Sequence, residues 1–128
     1  MIRLHLVFVG KTAFPEVEQA VQRYLDRLRH YISVELHLVR PEKVGDRGQD
    51  ERVRDREGER ILKLVGARDV LVALDRQGSQ LDSEGLASCI HEIGRQGKSD
   101  IWLAIGGPVG LSRQVLERAD RILALSRI

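Results

Sequence analysis

Cysteine is almost missing from this chain: Cys89 is the only one among 128 residues. No internal disulfide can therefore staple the fold, and a reducing, cytoplasmic compartment is expected. Aromatic side chains are equally scarce, with two Phe, two Tyr and one Trp, which leaves the core to aliphatic residues. No stretch reaches the roughly 18 consecutive apolar residues of a membrane-crossing helix, so no membrane partner is expected. The apolar start is interrupted by Arg3 and His5 and no small-residue cleavage site follows it, which argues against a signal peptide and for a first strand. Neither sign of charge dominates, since 21 Lys and Arg face 19 Asp and Glu. A protein that grips nucleic acid purely by neutralising phosphates shows a basic stripe. The densest basic stretch here, Arg40 to Lys63, is interleaved with Glu42, Asp46, Asp50, Glu51, Asp55, Glu57 and Glu59, and reads as a solvated helix face laced with local ion pairs.

What the chain does have is a regular alternation of apolar periods. Its length suits one domain spanning 1–128. Ile2, Leu4, Leu6 and Phe8 alternate with Val7 and Val9, a strand buried on both faces at its far end. Pro15 opens a helix carrying Val17, Ala20, Val21, Tyr24, Leu25, Leu28 and Tyr31 at steps of three and four. Val34, Leu36 and Leu38 make a second strand, and a long charged helix follows the glycines at 45 and 48 and ends near Gly66. Asp69 to Asp75 is a near-continuous apolar run, a central strand. Ser83 is the expected N-cap of a helix burying Leu86, Ala87, Ile90 and Ile93 and ended by Gly94 and Gly97. Asp100 to Ile105 is the next strand. Ser112 caps a short helix with Val115, Leu116 and Ala119 inward, and Ile122 to Leu125 is the last strand. The order β-α-β-α-β-α-β-α-β predicts an α/β fold, a mostly parallel sheet with helices on both faces. Such sheets bind ligands beyond the carboxyl ends of their strands, which directs attention to the residues after Leu74, Ile105 and Leu125.

Gly106-Gly107-Pro108-Val109-Gly110-Leu111-Ser112 lies at one of those places. Its glycines allow a flat ligand close to the main chain, or simply a tight strand-to-helix turn. No Lys followed by Ser or Thr closes it, so it is not a triphosphate-binding P-loop. Asp75 follows the central strand and can orient a ligand or bond its own turn. The four histidines show no metal-ligand spacing and no metal is expected. Cys89 sits mid-helix beside the apolar face and reads as a small hydrophobe, and no Gly-x-Ser-x-Gly elbow is present. Covalent catalysis has no candidate.

Six ordered segments carry a resemblance: Val7-Phe8-Val9-Gly10-Lys11, Arg56-Glu57-Gly58-Glu59-Arg60-Ile61-Leu62, Leu74-Asp75 with Gly78, Ser83-Glu84-Gly85-Leu86-Ala87, Ile105-Gly106-Gly107-Pro108-Val109-Gly110-Leu111 and Leu123 to Ile128. With these the chain resembles the large-subunit rRNA pseudouridine N3-methyltransferases, a branch of the SPOUT class with its α/β knot. The resemblance implies a homodimer that moves a methyl group from S-adenosylmethionine to N3 of a pseudouridine in 23S rRNA of the assembled ribosome. Carried over by position, the cofactor-binding residues are Leu74, Gly106, Leu125, Ser126, Arg127 and Ile128. In the family the last strand continues into a Thr-x-Pro-His turn and a helix that forms the knot. Measured against that pattern, the chain is expected to lack the knot-forming segment and to bind the cofactor weakly, and the catalytic proton acceptor has no assignment. Two other readings stay open: an inactive ribosome- or RNA-associated α/β module, and a doubly wound sheet binding a flat cofactor such as flavin mononucleotide, which the glycine-poor loop after Gly10 disfavours.

Overall fold

The structure is a computed structural model that describes residues 2–10, 19, 23, 26–27, 29–30, 32–43, 49–106 and 109–125, with backbone alone at 76, 77, 81, 83 and 125. The helix expected from Pro15 to Tyr31 lies almost wholly outside the described residues.

Five strands form one sheet: β1 (Arg3–Val9), β2 (Ser33–Val39), β3 (Val70–Leu81), β4 (Asp100–Ile105) and β5 (Arg121–Leu125). Their spatial order is β2-β1-β4-β3-β5, and every pairing among them is parallel. Among the described residues three helices follow β2, β3 and β4: α1 (Asp50–Leu64), α2 (Ser83–Arg95) and α3 (Arg113–Arg118). The expected α/β architecture with helices on both faces is what these residues build. A parallel sheet must be covered on both sides to hide its apolar surface. On one face Leu4, Leu6, Phe8, Val72, Ile101 and Leu103 pack with Leu86, Ile90 and Ile93 of α2. On the other face, Val7, Val9, Leu71, Ala73, Trp102 and Ala104 pack with Ile61 of α1 and Val115 of α3.

Several boundaries differ from the sequence reading, each for a local reason. The N-cap of α2 is Asp82, not Ser83: the Asp82 carboxylate accepts the Gly85 N–H at 2.7 Å, and Ser83 becomes the first helical residue. Gly97 sits just past the end of α2 with φ +84°, the left-handed conformation that glycine adopts freely, and donates its N–H to the Gly94 carbonyl at 3.1 Å. The loop expected directly after Leu74 is an irregularity inside β3. Val72 to Leu74 pair with Arg121 to Leu123, and Ser79 to Leu81 pair with Leu123 to Leu125, so Leu123 is met twice. Gly78 makes this possible, because a Cβ there would lie 2.6 Å from the Ile122 carbonyl carbon. On β2, Leu36 and Leu38 are 45% and 63% exposed rather than buried. This strand closes one end of the described sheet, with β1 as its only strand neighbour.

The charged helix α1 is also less solvated than its composition implies. Glu57 and Gly58 are buried beside Val53 and Ile61. Among the described residues, the ion pairs of this stretch tie helix to loop rather than helix to itself: Arg60 pairs with Glu42 at 2.5 Å, and Arg56 reaches the same carboxylate at 4.0 Å.

Candidate functional site at the carboxyl ends of the strands

Three of the strand ends singled out by apolar period fall on adjacent strands. Leu74 is flanked in register by Ile105 of β4 and Leu123 of β5. Gly106 follows Ile105 directly, and Leu125 stands two residues beyond Leu123, about 7 Å further along at the usual strand rise. Leu74, Gly106 and the Leu125 backbone therefore line neighbouring positions of one sheet edge. Leu74 and Ile105 are half-buried and packed against the α2-side core. Ser126, Arg127 and Ile128 lie outside the described residues.

The turn after β4 is held closed by its glycines. A Cβ on Gly106 would lie 2.6 Å from the Gly110 carbonyl carbon, and Gly110 itself has φ +84°. Gly110 and the Leu111 nitrogen thus lie against Gly106, immediately beside the end of β4. Ser112 then caps α3, its hydroxyl accepting the Val115 N–H at 3.2 Å.

Two separate sequence motifs meet at this turn. Gly58, in the middle of α1, lies against the Ser112 side chain so closely that a Cβ would collide with its hydroxyl, and would come 3.2 Å from Val115. One turn earlier, Arg54 donates to the Val109 carbonyl at 3.3 Å. The Glu-Gly-Glu-Arg helix therefore acts as a backing plate for the glycine turn. Sequence reading placed Arg54 and Glu57 on a solvated face; the signal available was Gly58, an otherwise poor helix residue in the middle of a long helix.

Glu57 is only 3% exposed. Its Oε2 accepts the Glu42 N–H at 3.1 Å, while its Oε1 has no hydrogen-bond partner among the described residues. Burial pushes its carboxyl above the ordinary range, against the lowering effect of that backbone donor. Glu42 is moved the opposite way, held below the usual range chiefly by hydrogen bonding from Arg60. Arg60 also donates to the Arg40 carbonyl at 2.9 Å. These groups fix the segment after β2, whose Pro41 ring lies 3.2 Å from where a Gly10 Cβ would be.

Cys89 is half-buried and packs against the α2-side core, in keeping with a small apolar role. The histidines depart from the sequence reading. Spacing along the chain gave them no common site, yet the parallel pairing of β1 and β2 brings His5, Glu35 and His37 together. The overlooked signal is parity: Glu35 and His37 share a face of β2, and His5 is the register partner of Glu35.

The sheet, its flanking helices and the glycine turn at the strand ends are those of the SPOUT methyltransferase class, and the chain belongs to that family: its model, described as a predicted SPOUT methyltransferase, matches residues 2–128. Among curated relatives, the chain is similar to proteins named ribosomal RNA large subunit methyltransferase H. That of Syntrophobacter fumaroxidans is 44% identical over 128 residues, covering 99% of this chain and 82% of the relative. Those of Trichlorobacter lovleyi and Desulfitobacterium hafniense are 38% and 34% identical, covering 98% and 100% of this chain and 80% and 82% of theirs.

Proposed function

We propose that this chain is an S-adenosylmethionine-dependent methyltransferase acting on N3 of a pseudouridine in 23S rRNA, working as a cytoplasmic homodimer on the assembled ribosome. The observation that carries this reading is the placement of Leu74, Gly106 and Leu125 on three adjacent strands, in a chain 44% identical to a named rRNA methyltransferase. The chemistry of the edge fits the cofactor. S-adenosylmethionine carries an adenine, a ribose and a sulfonium but no phosphate, so it needs apolar walls and main-chain hydrogen bonds rather than a lysine-bearing loop. Leu74 and Ile105 supply such walls, and the Gly106–Gly110 backbone approach leaves room for main chain alone.

When bound, the cofactor supplies an electrophilic methyl group whose transfer leaves a neutral thioether. The backbone at Leu74, Gly106, Leu125, Ser126, Arg127 and Ile128 would hold it. Methyl transfer from a sulfonium to nitrogen is catalysed mainly by alignment of donor and acceptor, with removal of the N3 proton accompanying it. Alignment is the part these residues perform: α1 packs through Gly58 against Ser112 and through Arg54 against the Val109 carbonyl, beside the end of β4. The near-balanced charge of the chain suits an rRNA grip shared between the dimer and the ribosome.

The test is methyl transfer from radiolabelled S-adenosylmethionine to ribosomes that lack the modification, with the product nucleoside identified by mass spectrometry. N3-methylpseudouridine in 23S rRNA, lost on Gly106→Val, is the expected result. Ribosome binding with no transfer would replace this reading with the inactive module, and label on another nucleoside would overturn the substrate.

A further inference from the structure

Toward the starts of β1 and β4 the α1-side face of the sheet changes character. The α1-side core gives way there to His5 on β1, Glu35 and His37 on β2, and Asp100 and Trp102 on β4. Three ligand-type atoms converge: His5 Nδ1 lies 3.1 Å from His37 Nε2 and 3.2 Å from Glu35 Oε2, and the last two are 3.6 Å apart. We propose that His5 Nδ1, His37 Nε2 and Glu35 Oε2 bind one divalent cation of the zinc, nickel or cobalt type, a site separate from the strand ends that carry the methyltransferase reading.

Donor type and spacing both point to this class of ion. Two imidazoles and one carboxylate are a borderline-soft set suited to zinc and its neighbours, whereas calcium and magnesium prefer oxygen alone. Ligand atoms about 2.05 Å from a tetrahedral ion sit about 3.3 Å from one another, and about 2.9 Å apart in an octahedral arrangement. The observed edges of 3.1, 3.2 and 3.6 Å straddle the tetrahedral value. One face of a tetrahedron is thus in place, with the fourth position left for solvent.

The first ligand is also oriented for the task. His5 is only 6% exposed, and its Nε2 lies 2.9 Å from Asp100 Oδ1. An ionised carboxylate only accepts, so Asp100 takes an Nε2–H from His5, and with an ion in place Nδ1 presents its lone pair toward His37 and Glu35. A carboxylate behind a ligating histidine is the usual arrangement for fixing its tautomer. The ring is clamped further by stacking on Trp102, centroids 4.0 Å apart and planes 11° from parallel. Trp102 is itself held by its Nε1–H donating to Asp69 Oδ2 at 2.8 Å. Against this rigid half, Glu35 and His37 on β2 are the accessible half, with side chains 52% and 28% exposed, which gives an ion its entry path. An ion there would pin β2 to β1.

Because Trp102 is the only tryptophan and touches His5, it reports on the site directly. Nickel titrated into the full chain should quench its fluorescence saturably at one ion per chain, and zinc should reverse the quenching by displacement. His37→Ala and Glu35→Gln, both at partly open positions, should each weaken zinc binding at least about tenfold. Circular dichroism of the two variants should match the parent. No saturable quenching, or the same zinc affinity in parent and both variants, would overturn the site and leave the cluster a metal-free hydrogen-bonded chain from Asp100 through His5 to His37.

Discussion

Gly58 shows how one residue can serve two elements. In a helix, Ala is ordinarily preferred over Gly by about 1 kcal/mol. Here the missing methyl is what lets α1 touch Ser112. Overpacking a tight contact costs about 1–3 kcal/mol, so Gly58→Ala should be neutral to about 2 kcal/mol less stable despite its better propensity. Gly58→Ala combined with Ser112→Gly, which clears the collision and keeps a tolerable cap, should recover part of that loss. Denaturant unfolding of the four proteins of this cycle measures the coupling.

Glu57 gives a residue-scale prediction with a definite sign. Its folded-state carboxyl is raised above the ordinary value of 4.5 by burial, so the folded state holds the proton more tightly than the unfolded chain. That contribution to stability is complete below the unfolded value and is lost as pH rises through the folded one. Glu57→Gln removes the titration while keeping an acceptor for the Glu42 N–H. The melting temperature of the variant relative to the parent should therefore climb as pH rises from about 4.5 and then level off. A difference that stays flat with pH would contradict the assignment.

At the scale of elements, the helix caps and the strand-end turn were open to sequence reasoning in unequal measure. Ser112 was legible because it stands three residues before Val115, at the start of an apolar period. Replacing Ser112 with Ala should cost about 1 kcal/mol, measurable by thermal unfolding, since the Val115 N–H loses its acceptor in a buried place. Asp82 was overlooked in favour of its neighbour Ser83, because both are good caps and only the backbone angles decide between them. The α/β order was legible because parallel strands are apolar on both faces. The second pairing of β3 was not, since Ser79 and Gln80 have no apolar signature and are placed by the passage of Gly78 across the Ile122 backbone. The positions Leu74, Gly106 and Leu125 are singled out twice, by apolar period and by resemblance. The α1 residues that back them, Arg54 and Gly58, reveal themselves only when helix and turn are brought together.

For the molecule as a whole, the sheet divides into a rigid middle and two unlike ends. Leu4, Val7, Leu71, Ile101, Leu103 and Ala104 on β1, β3 and β4 are almost fully buried, whereas β2 exposes Leu36 and Leu38. Amide hydrogen exchange should accordingly be slowest along β4 and the middle of β1, and fastest on β2 among the five strands. Uniform protection across β2 and β4 would contradict this division. The positions proposed to hold the cofactor lie on β3, β4 and β5, whereas the ligand atoms of the histidine cluster come from β1 and β2, so mutations at one should leave the other's readout in place.

The double engagement of β5 has a mechanical consequence. Its residues Arg121 to Leu125 lie parallel to two successive stretches of β3, before and after the Gly78 crossing. Tension along β5 therefore loads its inter-strand bonds together in shear, instead of parting them one after another.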